Sequence, residues 1–172
     1  KGEKVDEQLI ALQLCLKEVG GFSMASFRER LKYQKMVYLM QLFGIDLGYR
    51  FEWYLRGPYC TELTVDGFEI DKHRDEIEEY VKDYELSNEA REKLARFRDM
   101  ISQPPADGLS QESWLELLAS VHYLAQIAYV KNPEDKEYGR VSARLRGMKP
   151  WYEEEQIAQA WSLLKTYGLL KG

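Results

Sequence analysis

The sequence predicts a mainly α fold: a single helical domain spanning residues 1–172, with about seven helices and a small β element, a winged-helix-like arrangement being one option. Three observations predict it. Apolar residues recur at helical spacing along most of the chain. The run Met36-Val37-Tyr38-Leu39-Met40 is apolar on every side, as a helix buried all round must be. One stretch, Tyr49 to Arg56, alternates in the manner of a strand.

The elements follow in order. Val5, Leu9, Leu12, Leu16 and Val19 mark a first helix, which Gly20-Gly21 stops. Ser26 and Glu29 form a capping box that opens a second helix running to about Phe43, where Gly44 ends it. This helix is expected at the centre of the fold. In the strand, Tyr49, Phe51, Trp53 and Leu55 face one way and Arg50, Glu52, Tyr54 and Arg56 the other; Gly57-Pro58 breaks it. Its backbone groups require a partner strand, whose place the pattern leaves open. Residues 61–70 read either as a hairpin turning at Asp66-Gly67 or as a helix from about Tyr59 to Asp66. The next helix carries Ile70, Ile77, Val81 and Tyr84, and another carries Ala90, Leu94, Phe97 and Ile101. Gln103 to Gly108 is a loop. Ser110 then caps a long helix, stapled by Leu109 and Trp114, which Asn132-Pro133 ends. Tyr138, Val141 and Leu145 mark a shorter helix. The last runs from Trp151 to Tyr167, with Glu153, Glu154 and Glu155 where the macrodipole favours acids and Gly168 closing it.

A chain of 172 residues buries roughly 70% of the surface it exposes when unfolded, enough for a core without staples. Apolar residues make up 45% and charged residues 31%, which excludes a disordered chain. The net charge of −5 disfavours generic binding to nucleic acid or acidic lipid. Cys15 and Cys60 fit no metal-knuckle spacing; a single disulfide is one option, and two reduced thiols of a cytoplasmic protein is the preferred reading. No run reaches the ~18 apolar residues a membrane span needs. Lys1 to Gln8 carries charge and has no signal-peptide core, and the chain lacks an initiator Met.

Chemistry-bearing residues are sparse. His122 sits on an apolar helix and reads as a satisfied core histidine. His73 lies four residues from Glu69, a spacing that could share a metal, within what otherwise reads as a solvated acidic face. Cys60 stands near the strand end and reads as a buried thiol. Phosphate loops, nucleophile elbows and catalytic triads are absent from the sequence, and no cofactor is expected. Two basic clusters stand out. Arg28, Arg30, Lys32 and Lys35 crowd the start of the central helix, where they oppose its dipole. Arg140, Arg144, Arg146 and Lys149 occupy a ten-residue stretch without an acid. Each cluster either pairs with the acidic stretch Glu69 to Glu85 or serves an anionic partner. Arg50, Tyr54 and Arg56 on the outer strand face, with Tyr59 beyond the turn, read as the edge of the core or as an aromatic–arginine set of the kind that anchors protein interfaces and also stacks on bases.

The run Arg30-Leu31-Lys32-Tyr33-Gln34-Lys35-Met36-Val37-Tyr38-Leu39, followed by Gly44, Leu47-Gly48-Tyr49-Arg50-Phe51 and Gly57-Pro58-Tyr59, resembles the YwgA-like proteins of bacteria and archaea. It is more distantly similar to the SocA-like (Panacea) antitoxin domain, which shares a helix with a "lQKlvYl" core and a strand ending in Gly-Pro. The resemblance covers roughly residues 28–66, with a weaker echo from Lys149-Pro150 onward. It implies a partner-binding helical domain and carries over no catalytic residue. It also favours the helical reading of residues 59–66.

Three functions follow as expectations. The first is a non-catalytic, partner-binding or regulatory protein using Arg50, Tyr54, Arg56 and Tyr59, its partner another protein. The second is a winged-helix-like nucleic-acid binder using Arg140, Arg144, Arg146 and Lys149. The third is an enzyme with a metal on His73 and nearby carboxylates.

Overall fold

The computed structural model describes residues 6–172; Val5, assigned to the first helix from its spacing, lies outside them. Among the described residues the chain forms eight α-helices, one short 3-10 helix and one β-hairpin. The helices are α1 (Glu7–Glu18), α2 (Phe27–Gln41), α3 (Thr61–Lys72), α4 (Arg74–Val81), α5 (Asn88–Ile101), α6 (Gln111–Gln126), α7 (Tyr138–Met148) and α8 (Glu154–Thr166). The hairpin strands are β1 (Glu52–Tyr54) and β2 (Gly57–Tyr59).

Two helices make the centre. From Leu31 to Met40, α2 is buried at every position except half-buried Lys32. Residues Trp114 to Ala125 of α6 are buried without exception. The two pack on one another, while α7, α8 and β2 add to α6 and the hairpin lies against α2. Helix ends follow local chemistry. Ser26, Ser87 and Ser110 each accept a backbone N–H from the first turn. At α8 the cap is Glu153, reciprocated by Gln156, so this helix begins three residues later than Trp151.

Three further helix expectations change. The helix read through Ile70 and Tyr84 is two helices, broken at His73, whose ψ of 39° leaves the helical region. The hairpin option at Asp66-Gly67 is replaced by α3, which extends past Asp66 to Lys72. A Cβ at Gly67 would lie 2.9 Å from both the Met24 and Tyr33 side chains, so this glycine allows α3 to press against α2. The long helix ends at Gln126 rather than Asn132; Tyr129 turns the chain at φ 63°, and Pro133 opens the 3-10 helix.

The strand is the most instructive difference. Inward and outward positions alternate from Ile45 to Tyr54, and Leu55 breaks the alternation by pointing out. Only Glu52–Tyr54 is paired, antiparallel to Gly57–Tyr59, so the Gly57-Pro58 expected to end the strand begins its partner. Upstream, glutamine side chains supply the missing backbone partners. The Gln41 amide accepts from Tyr49 N–H and donates to Tyr49 C=O, both at 3.0 Å, and Gln8 donates to Leu47 C=O.

Candidate functional site

Two polar side chains of α2, Gln34 and Lys35, hold the hairpin from beneath. Gln34 repeats the Gln41 arrangement one step along the chain: its amide accepts from Cys60 N–H at 2.9 Å and donates to Cys60 C=O at 2.8 Å. Lys35, with no exposed surface, donates to Pro58 C=O at 2.5 Å. Burial drives its ammonium down to about 7, against the attraction of Glu116 and with the repulsion of Lys149 and Arg56. From the far side of the hairpin, Lys149 donates to Leu55 C=O at 2.7 Å and to Glu116 Oε2 at 3.0 Å. Its ammonium also lies 5.6 Å from the Trp53 ring centre and 5.5 Å from that of Trp151. Glu116 therefore faces three cations, Lys35, Lys149 and Arg56, the last at 3.9 Å.

These bonds draw the hairpin's carbonyls inward; Tyr54, Leu55 and Arg56 stay exposed, while Trp53 and Pro58 pack toward the core. Leu55 and Arg56 form the two-residue connection and keep negative φ, so the left-handed backbone falls on Gly57 at φ +90°. A Cβ there would also sit 2.7 Å from Ser120 Oγ. The Ser120 hydroxyl is buried and has no hydrogen-bond partner among the described residues.

The outward side chains shape a groove of about 400 Å³ between the hairpin, the start of α2 and α3. Phe27, Leu31, Tyr54 and Leu55 supply apolar surface, Arg30 and Arg56 the charge, and Gln34, Tyr59 and Thr64 the remaining lining. Leu55 is 92% exposed, Phe27 54% and Tyr54 48%. The Arg56 guanidinium lies 5.3 Å over the Phe27 ring, and the Tyr54 and Tyr59 rings meet edge to face at 5.3 Å.

Of the aromatic–arginine set read from sequence, Tyr54, Arg56 and Tyr59 converge on this groove. Arg50 does not: it lines a shallow recess with Gln41, Asp46 and Tyr49. Phe27, Arg30 and Leu55 were missed as groove residues. The signal for Leu55 was available, since a leucine occupies a tight turn where small or polar residues prevail.

Among the described residues, every member of the two basic clusters except Lys32 finds a partner within the fold, and those partners are not in the Glu69–Glu85 stretch. Arg28 pairs with Glu112, and Arg30 donates to Met24 C=O at 3.0 Å. Arg140 pairs with Asp135 and Arg146 with Glu154, both at 3.2 Å. Arg144 donates to Leu124 C=O and Asp135 C=O, and Lys149 is the buried partner of Glu116.

His122 Nδ1 lies 2.7 Å from the Tyr38 hydroxyl, and burial lowers its imidazole to about 4. His73 bridges Glu69 and Glu76 at 3.3 and 2.7 Å on the surface. Among the described residues no group of three or more His, Cys, Asp or Glu side chains could hold a metal. Both cysteines are free and buried, and burial pushes both thiols up, Cys15 to about 11, away from the reactive thiolate. No described helix is long and apolar enough to cross a membrane.

No family model, curated protein or solved structure matches this chain.

Proposed function

We propose that this chain is a non-catalytic protein-binding module of the cytoplasm, and that a segment of its protein partner seats in the groove between the hairpin and α2. One observation carries the reading: Leu55, Tyr54 and Phe27 expose contiguous apolar surface around a groove, where an ordinary protein surface scatters such side chains singly. The hairpin beneath is fixed by Lys35, Lys149 and Gln34. A surface held ready for its partner loses little freedom on binding, which favours affinity. The buried, protonated thiols fit a reducing compartment. The resemblance of residues 28–66 to YwgA-like proteins, and more distantly to the SocA-like antitoxin domain, points the same way. It also gives the Gln34-Lys35 pair of that motif a purpose, since these two side chains hold the hairpin.

A photoreactive phenylalanine analogue placed at Leu55 tests this in native lysate, with the same analogue at exposed Tyr84 as control. The expected result is a protein adduct specific to position 55 that disappears when Phe27→Glu is added. Adducts no more abundant at 55 than at 84, or indifferent to Phe27→Glu, would overturn the proposal.

A further inference from the structure

We infer that the partner segment is acidic, presenting a carboxylate beside a bulky apolar side chain; this deepens the protein-binding reading and rests on it. The charge of the groove is the first ground. The whole chain carries −5, yet the groove is lined by two arginines and no Asp or Glu. Arg30 has no carboxylate within 4.0 Å among the described residues. Arg56 only approaches Glu116, at 3.9 Å, and that carboxylate is already bound to Lys149 at 3.0 Å. The cationic surplus around Glu116 therefore reaches the surface at Arg56.

Geometry is the second ground. Each guanidinium lies over an aromatic ring, Arg56 over Phe27 and Arg30 over Phe68 at 5.9 Å. Arg30 spends one N–H on Met24 C=O at 3.0 Å, and Arg56 makes no hydrogen bond among the described residues; a carboxylate is the group that accepts their remaining N–H donors in pairs. The apolar walls supplied by Phe27, Leu31, Tyr54 and Leu55 fit a neighbouring aliphatic or aromatic side chain. A nucleic acid is the weaker candidate. Tight electrostatic binding to it requires several cations along a phosphate track, whereas this groove offers two and the arginines of α7 are occupied by Asp135, Leu124 C=O and Glu154.

A random dodecapeptide library displayed on phage, selected against the full chain, provides the test. Selected peptides should pair Asp or Glu with Leu, Phe or Trp. The double reversal Arg30→Glu/Arg56→Glu should weaken them by roughly tenfold or more, while their Lys-substituted counterparts bind the reversed protein better than the original. Should the reversal unfold the chain, Arg30→Gln/Arg56→Gln should lose the acidic peptides without gaining the basic ones. Peptides that are lost on Leu55→Asp but show no enrichment in acids would overturn the acidic inference and leave the protein-binding reading standing. Acidic peptides indifferent to both arginine variants would also overturn it. A selection that yields nothing, or a single-stranded oligonucleotide that binds at low salt and is lost on the reversal, would overturn both.

Discussion

The Lys149 ammonium and the Glu116 carboxylate meet at 3.0 Å with each side chain only 3% exposed, joining the turn after α7 to the central helix beneath the hairpin. A buried ion pair adds little net stability against an apolar replacement, but removing one partner strands the other charge.

Glu116→Gln should therefore destabilise the fold by about 3–5 kcal/mol, because Lys149, Lys35 and Arg56 then face no anion. The double replacement Glu116→Leu/Lys149→Met should cost less than Glu116→Gln alone. Urea unfolding of the three proteins checks the order, and a Glu116→Gln protein as stable as the parent would refute it.

Lys35 should impose an alkaline slope on stability. Its pKa is about 7 in the fold against 10.5 for the free side chain. Between those values the unfolded chain binds a proton that the folded chain does not, so stability rises with pH across that window. Lys35→Met should flatten the rise relative to the parent. Thermal unfolding from pH 7 upward gives the difference; parallel curves would contradict the assignment.

His122 acts in the same sense at lower pH. The fold holds it neutral down to about 4, while the unfolded imidazole takes its proton near 6.5. Stability contributed by the neutral ring is present above pH 6.5 and is lost as pH falls toward 4. NMR titration of the imidazole should give a midpoint near 4, and His122→Gln should remove the slope over this range. A midpoint near 6.5 would show the ring to be solvated.

Gly57 and Ser120 should couple. Gly57→Ala meets both a left-handed backbone at φ +90° and Ser120 Oγ at 2.7 Å. Ser120→Ala alone removes a buried hydroxyl without a partner and should be neutral or stabilising. Together the two should destabilise less than the sum of the single changes, since the clash is relieved and only the backbone strain remains. Additive behaviour in a double-mutant cycle would disprove the contact.

Gly67→Ala tests the α2–α3 approach. Its new methyl would press on Met24 and Tyr33 at 2.9 Å, an overpacking that costs about 1–3 kcal/mol. Met24→Ala should recover part of the loss. An unchanged midpoint in Gly67→Ala would mean that the helices part freely.

The sequence by itself determined most of the helices, the Ser26 and Ser110 caps and the central place of the second helix, because periodicity and capping are local and an apolar run such as Met36 to Met40 has to be buried on all sides. It also determined the inward–outward alternation up to Tyr54. Tertiary structure alone decided where the backbone of that segment finds its partners: glutamine amides reach it across loops, and a helix pattern does not reveal which of its polar residues turn inward. It likewise decided the pairing of the arginines with Asp135, Glu154 and Glu112, and the separation of Arg50 from Tyr54, Arg56 and Tyr59. Charge pairing and groove formation depend on distances between residues far apart in the chain, which only the packed fold sets.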